Sequence, residues 1–141
     1  MSNYRQDMSE EEKVSYLKAL AFILNVQKNP SQEKKDYLNR QAEEIGFPKR
    51  QLRSVKKKQK AAELIAELKG IKNIRLKRFI LREMIMLAVS DHELTDAEIA
   101  TIYKIGMEIG LKEEKINDFF LWTAKGIEWQ IEGMQLIEED I

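Results

Sequence analysis

The 141 residues carry 24 basic and 24 acidic side chains and one histidine, so no overall charge marks the chain for nucleic acid or an acidic membrane. No cysteine is present, which excludes disulfides, thiolate catalysis and Cys-based zinc sites. With 43% hydrophobic and 34% charged residues, the composition is that of one globular domain over 1–141 with many solvated helix faces.

The opening stretch, MSNYRQDMSEEEKV, is polar and acidic and lacks the apolar segment of a signal peptide. The longest apolar run, ALAFIL from Ala19 to Leu24, is far too short to span a membrane. A cytoplasmic protein without membrane insertion is expected. Helical periodicity then dominates: Leu17, Leu20, Ala21 and Leu24 form one apolar stripe, Leu64, Ile65 and Leu68 a second. Leu76, Phe79, Ile80, Leu87 and Ala88 form a third, and Ile99, Ile102, Ile105 and Ile109 a fourth. No segment alternates as a strand does. The pattern predicts an all-α fold of about seven helices, near 9–27, 31–45, 48–69, 74–90, 95–109, 112–125 and 127–139. Ser9 with Glu12 and Thr95 with Glu98 read as capping boxes, and Ser31 as a cap without the glutamate. Gly46 and Gly110, each following Glu-Ile, read as helix-ending glycines.

A shift of 64 residues lays Leu17–Phe47 on Leu81–Leu111 without a gap. Leu17 meets Leu81, Leu20 meets Met84, Ile23 meets Leu87, Ser31 meets Thr95 and EIGF meets EIGL. Two helical hairpins, neither able to bury its stripe alone, are expected to share one core about a pseudo-twofold axis. The first repeat covers about 9–58, the second about 74–125, and a C-terminal helix follows over 127–139.

The second-half pattern LREMIMLAVSDHELTDAEIATIYKIGMEIGL resembles the tellurite-resistance TerB-like family. There an apolar helix runs into an Ala-Asp-Gly-Glu turn, a capped helix with an early glutamate, and a closing Leu-Gly or Ile-Gly. The matching positions here are Ser90, Asp91, His92, Glu93, then Thr95, Glu98, Ile109 and Gly110. The resemblance is close over about 30 residues and loose over perhaps 110 through the repeat. It implies a duplicated seven-helix domain without catalysis, found in tellurite and other stress responses, in phage defence and on some DnaJ-like co-chaperones. It also implies that acidic turn residues bind divalent cations. Two departures bear on that: His92 stands in place of the turn glycine, and the first repeat has Gln27 and Lys34 where the second has Asp91 and Glu98. Half of a symmetrical acidic constellation is therefore missing.

The segment AVSDHELTDAEI, Ala88–Ile99, is the first candidate site. An EF-hand starting at Asp91 fails, because Asp96 and Ile102 stand where glycine and glutamate are required. A looser site from Asp91, Glu93 and Glu98 would leave a divalent cation short of oxygens and bind it weakly. No other cofactor is indicated. The alternative is purely local: Thr95 and Glu98 satisfy helix-start amides and Asp96 complements the dipole, while Asp91, closing a helix, opposes it.

Charge is uneven along the chain. Residues 49–82 carry 13 basic and 2 acidic side chains, and residues 83–141 carry 4 basic and 14 acidic. Lys49, Arg50, Arg53, Lys56, Lys57, Lys58 and Lys60 could engage phosphates without reading bases. The other reading is a solvated helix joining the repeats, with Leu52 and Val55 inward, lying against the acidic half. The tail DFFLWTAKGIEWQIEGMQLIEEDI is the third candidate. Either two last helices bend at Gly126 and pack on the core, or Trp122, Trp129 and Met134 form a partner surface or a homodimer seam. One histidine, no phosphate loop and no nucleophile elbow argue against an enzyme. The expectation is a protein-interaction module, with a nucleic-acid-associated accessory protein as the alternative.

Overall fold

The computed structural model describes residues 3–140; Met1, Ser2 and Ile141 lie outside the described residues. It is all-α. Eight helices run in the order α1 Tyr4–Asp7, α2 Glu10–Leu24, α3 Gln32–Glu44, α4 Lys49–Val55, α5 Ala61–Lys69, α6 Ile74–Ala88, α7 Asp96–Glu108 and α8 Glu113–Glu138.

Local chemistry sets the ends of these helices. The Ser9 hydroxyl accepts from Glu12 N at 3.1 Å while the Glu12 carboxylate accepts from Ser9 N at 2.9 Å, a reciprocal cap worth about 1 kcal/mol. Thr95 and Glu98 repeat it on α7, and Ser31 Oγ accepts from Lys34 N on α3. Gly46 and Gly110 adopt φ of 70° and 102°. After each, a buried apolar residue sends its amide back: Phe47 N to Ala42 O and Leu111 N to Gly106 O, both 2.9 Å. This two-bond closure requires a left-handed residue, which glycine adopts without steric cost.

The 64-residue offset holds in three dimensions. Helices α2 and α6, α3 and α7 start and end at positions 64 apart, and the first residues of α4 and α8, Lys49 and Glu113, are also 64 apart. Helices α2 and α6 pack against each other at the centre. Tyr16, Leu17, Leu20 and Ile23 from one, and Ile80, Leu81, Met84 and Leu87 from the other, are fully buried. Leu38 of α3, Leu64 and Leu68 of α5, Ile102 of α7 and Ile116 of α8 complete one continuous core.

Three boundaries differ from the sequence expectation. The N-terminal turn α1 is additional; Tyr4 stacks on Phe79 at 5.4 Å between centroids. The segment 48–69 is two helices, interrupted after Val55 at KKKQK, where four lysines in five residues leave nothing to bury and repel as helical neighbours. The two helices placed over 112–139 are one. Helix α8 passes through Gly126 and Gly133 without a break, each glycine costing about 1 kcal/mol relative to alanine without redirecting the chain.

Candidate functional site

The acidic turn is built by the end of α6 and the start of α7. Ser90 Oγ donates to Leu87 O at 2.8 Å and His92 N donates to Val89 O at 2.9 Å. His92 takes φ 62°, the left-handed position that histidine tolerates better than most side chains. Asp91 Oδ1 accepts from Glu93 N at 2.9 Å, an Asx turn that aims the carboxylate back toward the protein.

What that carboxylate meets is Lys34. The Lys34 ammonium, from the first turn of α3, lies 2.9 Å and 3.2 Å from the two Glu98 oxygens and 3.6 Å from Asp91 Oδ1. It also donates to Glu93 O at 3.1 Å and reaches Gln27 Oε1 at 3.4 Å. Lys34 and Glu98 side chains are 1% and 0% exposed, so both charges have left water entirely. Such a pair persists only when its remaining donors and acceptors are satisfied. Here they are: the ammonium's three protons face carboxylate, carbonyl and amide oxygens, while Glu98 also accepts from Thr95 N and Oγ1, each at 3.0 Å. Burial pushes the Asp91 carboxyl up. The Ser31 hydroxyl, the Glu93 amide and the Lys34 charge outweigh it and hold the group below the usual carboxylate range.

The four repeat-equivalent positions, Gln27 with Asp91 and Lys34 with Glu98, thus converge on one point. The three carboxylates expected as cation ligands do not act together. Glu98 and Asp91 face Lys34, whereas the Glu93 side chain is exposed and only its carbonyl joins the cluster. A divalent cation does not fit this donor set: its place against Glu98 is filled by an ammonium of the chain itself, and six to eight free oxygens are not available. Among the described residues no group of three or more histidines and carboxylates is arranged to hold a metal.

A second buried polar cluster has no echo in the repeat. Glu83 on α6, almost fully buried, accepts from Arg5, from Arg82 Nε at 3.1 Å and from the Tyr37 hydroxyl at 2.8 Å. Gln41 Oε1 accepts from Arg5 Nε at 2.8 Å and from the Tyr16 hydroxyl at 2.6 Å, and Glu44 pairs with Arg5 at 3.1 Å. Burial first, then the Glu83 charge, drive both tyrosine hydroxyls far above the ordinary phenol range. Burial works against the Arg5 charge, but Glu83 and the surrounding oxygens hold its guanidinium more firmly protonated than usual. The cluster pins α1 to α3 and α6. Its only sequence signal is a glutamate at position 83 inside an apolar helix face.

The basic run is exposed at Lys49, Arg50, Arg53, Lys57, Lys58 and Lys60, and Lys56 is half-buried, donating to Asn39 Oδ1 at 2.7 Å. Leu52 and Val55 point inward. Among the described residues none of these seven basic side chains forms an ion pair.

Helix α8 separates into two parts. Ile116 and Thr123 are buried, and Phe119, Phe120 and Ile127 pack on the core. From Glu128 to Glu138 every residue is exposed. Trp129 is 74% exposed, Leu136 72%, Ile137 76% and Met134 54%. Trp122, half exposed, lies under the Arg82 guanidinium at 5.7 Å. Beside it runs an open groove of about 470 Å³ between Trp122, Gly126 and Trp129 on one wall and Tyr37, Arg40 and Met86 on the other. Of the three residues expected as a partner surface, Trp129 and Met134 lie on the projecting stretch with Ile131, Leu136 and Ile137, while Trp122 stays against the body under Arg82. No helix among the described residues is long and apolar enough to cross a membrane. No family model matches the chain, and neither curated proteins nor solved structures provide a match.

Proposed function

We propose that this chain is a non-catalytic protein-interaction module of the cytoplasm, TerB-like in kind and serving a stress- or defence-related assembly, with distal α8 as its contact element. The observation that carries the reading is the run from Glu128 to Glu138, exposed throughout yet bearing Trp129, Ile131, Met134, Leu136 and Ile137. A helix apolar round most of its surface is ordinarily a buried one, and exposed patches of this kind mark protein contacts. The TerB-like resemblance is supported by the matched helix bounds 64 residues apart and by His92 in the left-handed position of the acidic turn. A divalent cation is not part of the reading, because the Lys34 ammonium already stands against both Asp91 and Glu98.

Affinity capture from the native cell, using the wild-type chain and Trp129→Glu as baits, tests it. The proposal expects a polypeptide held by the first bait and released by the second. Retention by neither, or equally by both, overturns it. A second reading, nucleic-acid association, rests on the six exposed, unpaired basic side chains between Lys49 and Lys60. It requires an affinity for DNA or RNA that falls steeply with salt and is lost in Lys57→Glu/Lys58→Glu.

A further inference from the structure

We infer that the partner of distal α8 is a second copy of the same helix, packed antiparallel across a twofold axis. This inference rests on the interaction reading above and names the occupant. Three independent observations point to it.

The first is surface. The chain exposes 9174 Å², whereas a compact monomer of its mass exposes roughly 7,600 Å², leaving an excess of roughly 1,600 Å². A stable interface of standard size needs about 800 Å² from each partner, less than this excess, and the most exposed large apolar side chains of the chain lie on distal α8. At 3.6 residues per turn, Leu136, Trp129, Ile137, Met134 and Ile131 are spread over an arc of roughly 220°, which Gln130 interrupts.

The second is shape. Phe119, Gly126 and Gly133 alternate with Trp122, Trp129 and Leu136 at spacings of three and four residues, the spacing of a helix–helix seam. In an antiparallel pair centred between Ile127 and Glu128, Trp129 lies opposite Gly126 of the second copy. Trp122 lies opposite Gly133, and Leu136 reaches the edge of Phe119, whose other side packs on its own core. Both indole layers then face a glycine, and the space beyond both glycines is open: nothing stands within 4 Å of where their Cβ atoms would be. A parallel pair in register would instead put Trp129 on Trp129 and glycine on glycine. The groove beside Gly126 receives the incoming indole.

The third is charge. On the flank of the same seam the antiparallel pairing sets Lys125 beside Glu132 of the second copy, twice by symmetry. It also carries the acidic end Glu138, Glu139 and Asp140 toward the stretch of α6 that holds Arg82 and, one turn earlier, Arg78. Arg78 Nε is the one buried side-chain nitrogen without a hydrogen-bond partner among the described residues. An isologous contact of this kind closes on itself, so it yields a dimer and no filament.

The test is the mass of the full chain in solution, by light scattering across micromolar concentrations. A dimer is expected, and Trp129→Glu, at a position too exposed to disturb folding, should be monomeric. Lys125→Glu and Glu132→Lys should each weaken the dimer several-fold, while an equimolar mixture of the two, or the double variant, should recover it. Orientation is read from a nitroxide on Glu138→Cys, which is easily placed because the chain has no cysteine. Antiparallel packing puts the two labels about 32 Å apart along the axis, whereas parallel packing brings them to about 10 Å. A monomer at all concentrations, a dimer indifferent to Trp129→Glu, or the short label distance overturns the proposal. If the chain is monomeric but a different protein is captured through Trp129, the interaction reading stands and self-association alone falls.

Discussion

The two halves of the molecule begin their third helices at equivalent positions, Lys49 and Glu113, and then part. Helix α4 stops after seven residues; α8 continues for 26. Equivalent positions explain it: Lys56, Lys57, Lys58, Gln59 and Lys60 of the first half stand where the second has Phe120, Leu121, Trp122, Thr123 and Ala124. Lysines with no apolar stripe leave the helix nothing to pack, so the chain turns back into α5. Apolar residues with good helix propensity carry α8 off the body. One duplicated framework has thus produced a short basic corner and a long apolar projection. The same divergence operates at the centre, where equivalent positions 34 and 98 became lysine and glutamate and now neutralise each other.

Breaking that central pair should have the largest effect. Glu98→Gln or Lys34→Ala leaves one charge buried without its partner, at a cost of about 3–5 kcal/mol, read from urea or thermal unfolding. The exchange Lys34→Glu/Glu98→Lys should recover most of the loss, because it restores the pair at the two repeat-equivalent positions. It also moves the capping box from Thr95 to Ser31. A double variant as unstable as the singles would show that the two halves are not interchangeable at this point.

Next in size is the behaviour of the acidic pair once its lysine is gone. In Lys34→Ala, millimolar calcium or magnesium should raise the unfolding midpoint, since Asp91 and Glu98 then face an empty space. In the wild-type chain the same ions should leave the midpoint where it is. A wild-type shift that disappears in Asp91→Asn would reinstate a metal at the turn.

The polar cluster around Glu83, which joins α1 and α3 to α6, gives a pH signature. Tyr16 and Tyr37 titrate well above the ordinary phenol value in the folded chain. Their stabilising contribution is therefore complete below about pH 10, the unfolded value, and is lost as pH rises beyond it. Alkaline unfolding should be retarded in Tyr37→Phe relative to the midpoint it has at neutral pH. Asp91 has the opposite sign: its lowered value makes its contribution present above about pH 4 and lost as pH falls below that. Asp91→Asn should flatten the acid limb. The smallest effect belongs to the basic corner, where Lys57→Glu/Lys58→Glu should change stability by less than about 0.5 kcal/mol.

Much of this architecture is written locally. Caps such as Ser9 with Glu12 and Thr95 with Glu98, the glycines at 46 and 110, and the periodic stripes act through neighbours three to five residues apart, so residue spacing alone locates them. The 64-residue offset was equally legible, because helix length, cap and closing glycine recur together. Local signals also misled. Gly126 looks like a break, yet α8 runs through it unbroken, because Thr123 and Ile127 pack on the body on either side of the glycine and good helix formers follow. The lysines at 56–60 have helix propensity enough to read as part of a helix, but they offer no apolar stripe for tertiary packing to hold.

What the sequence determined by itself is the class of fold, the 64-residue offset, and the helix ends marked by Ser9, Ser31, Thr95, Gly46 and Gly110, all consequences of short-range backbone and hydrogen-bond chemistry. Tertiary structure alone decided which charge answers Asp91 and Glu98. The 64-residue repeat makes Lys34 and Glu98 equivalent, but equivalence in a repeat does not imply contact; they meet because the packing of α2 on α6 brings the starts of α3 and α7 together. The exposure of distal α8 was decided the same way, since an apolar helix is core or contact according to whether the rest of the chain can reach it.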